Sequence, residues 1–269
     1  MDIVFMIILG VFGAAFGSFA CCQAWRIYKH DKSARSHCMN CSYKLKWYDN
    51  IPVLSWLMLG GKCRKCRKPI GAAEILSELG LAVAFVLSFV LWPHHQQLVE
   101  LCGFEIAKFA LFLIQLVLFA ILFVYDAKWK EMPVPILIAS CVLGVAFWVV
   151  NFIKIIVLFG FDQMTLIQLA GAMLILPGFY YFMYKASKEK WVGSGDAILC
   201  VPLAMMLGNF WLAMFCLFLS NMIGSVIMLP VTIAKKEKHA MIPFGPFLIL
   251  GFLVVYYFQV LFLNFINGF

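Results

Sequence analysis

The feature that most constrains this chain is its succession of long apolar runs. Windows of about 20 residues, the length at which a helix crosses a hydrocarbon core of roughly 30 Å, pick out eight candidate spans: 3–25, 75–92, 105–125, 135–158, 164–184, 196–210, 211–233 and 244–266. Barrel strands would need only about 9–11 residues each. Inside lipid a backbone has no water to bond to, so runs this long call for helices that satisfy their own N–H and C=O groups. The predicted fold is an all-α integral membrane protein, a polytopic bundle of about eight transmembrane helices. Composition agrees: 64% of residues are hydrophobic and 13% charged, where soluble domains are roughly half apolar and a quarter charged. The division between 196–210 and 211–233 rests only on Gly208 and Asn209.

The first span is not built like a cleaved signal peptide. Asp2 precedes it and Arg26, Lys29, Lys32 and Arg35 follow, the reverse of a basic leading region. It is therefore expected to stay as an anchor with its N-terminus outside. Of the 21 Lys and Arg, 19 fall in alternate loops: in 26–68, and after the third, fifth and seventh spans. The positive-inside rule makes those loops cytoplasmic. Lys108 and Lys154 are the exceptions, expected to snorkel from the outer ends of their helices. The net charge of +8 then faces anionic lipid, at about 1 kcal/mol per basic residue near the surface. A lipid bilayer is thus the expected partner, and nucleic acid is not.

One sizeable polar segment, 29–72, carries Cys38-Met39-Asn40-Cys41 and Cys63-Arg64-Lys65-Cys66. Two CxxC turns can aim four thiolates at one ion, a tetrahedral set suited to structural zinc. An ion would also replace the hydrophobic core that about 40 residues can hardly build. Disulfides, a redox pair and an iron–sulfur site are the alternatives, and a cytoplasmic location argues against stable disulfides. Cys21, Cys22, Cys102, Cys141, Cys200 and Cys216 lack pair spacing and read as small packing residues.

Acids at the edges of apolar spans need a reason. Glu74 and Glu78 begin the second span, Asp126 ends the third and Asp196 begins the sixth. By the charge pattern all four lie at the cytoplasmic end. A carboxylate near a helix N-terminus can simply cap it, which would explain Asp196. Asp126 closes a helix whose C-terminal dipole repels an anion. Two such acids at one depth can instead form a dyad that shares a proton, one carboxylate activating water while the other serves the scissile carbonyl. Gly193 and Gly195 would let the backbone turn sharply and let an extended peptide approach Asp196. Gly13 and Gly17 form a GxxxG element, expected to pack helices within the bundle.

GSGDAIL at 193–199 resembles the GxGD motif of intramembrane aspartyl proteases, and DAKWKEMP at 126–133 resembles its partner motif. With GAAFGSF at 13–19, WYDNIPVLSWLMLGGKCRKCRKPI at 47–70 and IPFGPFLILG at 242–251, the ordered set is similar to the type IV prepilin peptidases. The chain departs from that family at Met39, in SFACCQAWRIY, at Pro133-Val134 and at Glu74-Ile75, with Glu78 at the family's glutamate position.

The resemblance implies a membrane aspartyl endopeptidase with Asp126 and Asp196 as catalytic pair. It would cut the short basic leader from type IV prepilins and pseudopilins after a glycine, on the cytoplasmic side of a bacterial cytoplasmic membrane. S-adenosylmethionine-dependent methylation of the new N-terminus would follow, although no Rossmann fingerprint names the cofactor's ligands. The expected organisation is a first transmembrane helix at 1–28, a four-cysteine zinc module associated with methyl transfer at 29–72 and a peptidase domain at 73–269. Two alternatives stand beside it: a peptidase whose module only docks substrate or stabilises the fold, and a non-enzymatic assembly factor or proton-coupled carrier.

Overall fold

Apolar runs with no water to bond to fold here as helices. The computed structural model describes every residue except Met1, Lys32, Ala34, Leu101, 189–191, 236–242 and 268–269. Lys190, Lys236 and Lys238, which enter the charge pattern with Lys32, and Ile242 of the last motif therefore lie outside the described residues. The elements are α1 (Asp2–Lys29), a 3₁₀ turn (Trp47–Asn50), α2 (Leu54–Met58), α3 (Ala72–Val90), α4 (His95–Val99), α5 (Gly103–Trp129), α6 (Val134–Phe159), α7 (Gln163–Ser187), α8 (Ser194–Leu207), α9 (Phe210–Lys235), α10 (Gly245–Tyr257) and α11 (Gln259–Asn267). Two isolated bridges, His37 with Lys44 and Lys62 with Pro69, are the only β pairing among the described residues.

Among the described residues six helices are long and apolar enough to span a membrane, and α10 with α11 makes a seventh if that pair, bent by 70°, is one span. The chain is a multi-pass membrane protein. Each expected span coincides with a helix except 244–266, which is the bent pair α10 and α11, and the 196–210 segment is shorter than a crossing. Its 14 residues reach about 21 Å. Gly208, at φ +59°, ends it in the left-handed conformation that glycine adopts without strain. In compensation α8 is buried nearly all round, with Leu199, Cys200, Leu203 and Ala204 fully enclosed by packing that involves α6, α7, α9 and α10.

The chain divides into two compact units, Met1–Val90 with Leu116–Tyr125, and Leu91–Gln115 with Asp126–Phe269. In the first, α1 and α3 meet backbone to backbone through the GxxxG element. A Cβ on Gly13 would lie 2.6 Å from the Leu81 carbonyl, and one on Gly17 would lie 2.6 Å from Glu78 Cα. Ser77 Oγ donates to the Gly17 carbonyl at 2.7 Å. Packing of this closeness replaces the hydrophobic drive that lipid cannot supply between helices.

The second unit is tied by buried polar contacts. Glu105, fully buried, accepts from Trp92 Nε1 at 2.8 Å and from Lys154 Nζ at 2.6 Å, with Lys108 Nζ at 3.3 Å. Lys154 also donates to Gln97 Oε1 at 2.7 Å. The expected snorkelling of these two lysines is thus corrected. Both turn inward, because a shared buried carboxylate compensates their desolvation and a lipid face would not.

Gly17→Leu is expected to lower the stability of the detergent-solubilised protein by about 1–3 kcal/mol or more through overpacking against α3. Gly80→Leu, where an added Cβ meets nothing within 4 Å, is the control and should leave the unfolding midpoint unchanged; equal effects of the two would contradict the packing argument.

Candidate functional site

Asp126 sits one turn before the end of α5. Lys130, at φ +58°, closes that helix, and its N–H donates to the Asp126 carbonyl at 2.8 Å. The Asp126 carboxylate is 5% exposed and faces the unfavourable end of its own helix dipole. What compensates is a second helix: Gly245, the first residue of α10, donates its N–H to Asp126 Oδ2 at 2.9 Å. A helix start offers both a free donor and the positive end of its dipole.

Asp196 is the third residue of α8 and 8% exposed. Its Oδ2 accepts the Gly193 N–H at 3.2 Å, so the capping role expected of a lone acid is present. It does not exhaust the residue, because Asp196 also lies close enough to Asp126 for the two carboxylates to repel. Met132, in the loop after α5, packs against both sides of the arrangement. A Cβ on Gly195 would lie 3.0 Å from Met132 Cβ, and one on Gly245 would overlap the Met132 methyl and lie 2.9 Å from Asp126 Oδ2. Tyr180 of α7, buried and taking a 3.1 Å hydrogen bond from Asn221 Nδ2, is within electrostatic reach of Asp196.

The glycines act differently from the sequence expectation. Gly193 has φ −76° and ψ 155°, a conformation open to any residue, and Gly195 lies inside α8 without positive φ. The sharp turn therefore does not itself demand glycine; Gly195 is small because Met132 occupies the space. Gly245 and Met132 lie in the quoted motifs, yet spacing gave neither a role. Tyr180 carried no signal, being one aromatic among several along α7.

Two buried carboxylates, each held by an N–H from a helix start and within electrostatic reach of each other, are suited to moving protons on and off a water and a carbonyl.

The four cysteines converge in the first unit. Cys38, Cys41, Cys63 and Cys66 place their Sγ atoms within 4.8 Å of one another, with Cys38 to Cys66 at 3.8 Å and Cys41 to Cys63 at 4.0 Å. A disulfide would need about 2.05 Å, whereas a tetrahedral ion with bonds near 2.3 Å holds its sulfurs about 3.8 Å apart. The two turns repeat each other. The Ser42 N–H bonds the Cys38 carbonyl and the Arg67 N–H the Cys63 carbonyl, and Ser42 and Arg67 are both left-handed, at φ +54° and +58°.

The donor set itself asks for a cation. The Lys68 N–H favours the Cys66 thiolate and holds its pKa down at about 6. The Tyr43 N–H acts the same way on Cys41, but desolvation and the neighbouring thiols outweigh it and push Cys41 up to about 11. Without a positive ion the four cannot all be thiolates. The cluster fits a metal ion.

Beside it, the Val53 N–H donates to Glu78 Oε2 at 2.7 Å, fixing a β-branched residue at φ +61°, a conformation such residues rarely adopt. A cavity of about 260 Å³ lies here, lined in part by Trp25, Arg26, Trp56, Glu74 and Glu78.

The bacterial Peptidase A24 N-terminal domain family matches residues 11–92. A prepilin leader peptidase/N-methyltransferase of Aeromonas hydrophila is 30% identical over 217 residues, 80% of this chain and 68% of that protein. One of Vibrio cholerae is 25% identical over 96% of this chain and 98% of its own length. The type 4 prepilin-like proteins leader peptide-processing enzyme of Escherichia coli is 29% identical over 85% of this chain and 77% of its length. No solved structure gives a significant match. The chain belongs to the type IV prepilin peptidase family.

Proposed function

We propose that this protein is a membrane-embedded prepilin leader peptidase and N-methyltransferase. It removes the short basic leader of type IV prepilins and pseudopilins after a glycine, on the cytoplasmic side of a bacterial cytoplasmic membrane, and methylates the new N-terminus. The observation that supports the peptidase half is that Asp126 and Asp196 are both buried, lie within electrostatic reach of each other and are each on their own helix-start N–H donor. The charge pattern of the loops supports the orientation.

In this reading one ionised aspartate takes a proton from water as the water oxygen attacks the scissile carbonyl carbon. The protonated partner gives its proton to the carbonyl oxygen. Collapse of the tetrahedral adduct breaks the C–N bond, the proton taken from water passes to the leaving amine, and one hydroxyl proton of the adduct returns to the partner aspartate. The Gly245 and Gly193 N–H groups hold the two carboxylates in place throughout, and the approach past Gly193 admits the extended leader.

The region 29–72 is assigned to methyl transfer and 73–269 to the peptidase. S-adenosylmethionine, when bound, supplies a methyl group to the new amine: the C–S pair stays on sulfur, a C–N bond forms and the amine loses a proton. Cys38, Cys41, Cys63 and Cys66 would hold zinc, whose four thiolates leave no open position and so give it a structural role.

Asp126→Asn and Asp196→Asn, assayed separately on a purified prepilin, are each expected to slow cleavage by about 10²–10⁴-fold; cutting at the wild-type rate by either would end the dyad reading. Labelled methyl groups should appear on the new N-terminus of the cleaved product, and their absence would leave a peptidase whose module only docks or stabilises. Metal analysis is expected to find about one zinc per chain, lost in Cys63→Ser. A folded, active wild type without metal would overturn that assignment.

A further inference from the structure

The cavity beside the cysteine cluster has a chemistry that peptide cleavage does not use. At about 260 Å³ it is close to the size of small-molecule sites, roughly 300–1,000 Å³. Most acids around it are engaged. Asp49 accepts from Arg64 Nε at 2.8 Å and the Lys46 N–H at 3.2 Å. Asp31 accepts from the Ser33 N–H at 2.9 Å, and Glu78 from the Val53 N–H at 2.7 Å. Trp56 Nε1 and Glu74 Oε2 differ: both atoms are buried with no hydrogen-bond partner, and both residues line the cavity.

An unpaired buried donor or acceptor costs about 1–3 kcal/mol, more when it is charged. A donor and an anion left unpaired around one space point to a ligand that pairs both. Such a ligand carries an acceptor for the indole N–H and positive charge for the carboxylate. The indole faces of Trp25 and Trp56 add surface for a flat ring or a cation, and the Arg26 guanidinium adds a partner for an anionic end. A molecule joining a purine, a sulfonium, an ammonium and a carboxylate meets every one of these demands.

We infer that this cavity binds S-adenosylmethionine, with Glu74 as the anionic partner of its positive charge and Trp56 as its ring and N–H contact. The inference rests on the reading that the chain transfers methyl groups, and deepens it by giving the donor a place. A basic leader segment is the competing occupant for Glu74, but a wall with two indoles and a free indole N–H suits a nucleoside better than a lysine-rich peptide.

The test uses the full-length, metal-loaded protein in detergent and tritiated S-adenosylmethionine in equilibrium dialysis. Trp56→Phe and Glu74→Gln are each expected to weaken binding about tenfold, the effect of one lost buried hydrogen bond or ion contact, with zinc content and unfolding midpoint unchanged. Ultraviolet crosslinking of the labelled cofactor to the wild type, which needs no variant, should mark peptides within residues 18–78. Both variants binding within twofold of wild type, or label confined to residues 91–269, would overturn the assignment while leaving methyl transfer intact. A wild type that neither binds the cofactor nor methylates cleaved pilin would remove the methyltransferase reading itself. Loss of leader-peptide binding in Glu74→Gln, with cofactor binding unchanged, would give the cavity to the substrate and refute the inference.

Discussion

The hydrogen bond from the Gly245 N–H to Asp126 Oδ2, 2.9 Å long, is the contact on which the proposed peptidase site depends. A carboxylate one turn from a helix C-terminus, in surroundings with little water, is opposed both by desolvation and by its own dipole. Bringing the start of α10 against the end of α5 answers both at once. It also explains why position 245 has no side chain, since a Cβ there would meet both Asp126 and Met132. Asp196, at a helix start where the dipole favours an anion, has only the desolvation to offset and does so within its own helix through the Gly193 N–H. The two acids thus have equivalent support from different sources, one tertiary and one local, and Met132 packs against the glycines on each side.

The cysteine module rests on different physics. Within residues 36–70 two copies of one turn carry the four cysteines, nearby apolar side chains such as Trp47, Leu54, Leu57 and Met58 stay exposed, and a bound ion would join thiolates that otherwise repel. The first unit therefore combines a region whose four cysteines are placed to hold an ion with the α1 and α3 pair, which is stabilised by backbone approach at Gly13 and Gly17.

Sequence made visible whatever is written as residue type at a fixed local spacing. The apolar runs named the helices, the two CxxC turns named their ligands, and GxxxG foretold close packing because the missing Cβ is itself the signal. Asp196 was legible both as a cap and as a suspected partner of Asp126. What spacing could not supply was anything set by tertiary partners. The donor to Asp126 lies 119 residues away. Lys108 and Lys154 looked like interfacial residues because their common carboxylate, Glu105, is identified only by the packing of α4, α5 and α6. The brevity of α8 was hidden for a related reason: Gly208 was visible as punctuation, but whether a helix must cross lipid or can end inside protein depends on its neighbours.

Glu74 and Glu78 carry that reasoning into the first unit. They stand four apart on α3 and share a face, so periodicity treats them alike. Glu78, at the family's glutamate position, is used up locally in holding the Val53 N–H and with it a strained backbone. Glu74, where the sequence departs from the family, keeps a buried oxygen without a partner. Exchanging their environments would exchange their roles, because a carboxylate already bound to a backbone donor has little attraction left for a cation, whereas an unpaired one gains from the first positive charge that reaches it. The difference between a structural acid and a binding acid in this cavity is therefore one of hydrogen-bond occupancy, and only the fold assigns it.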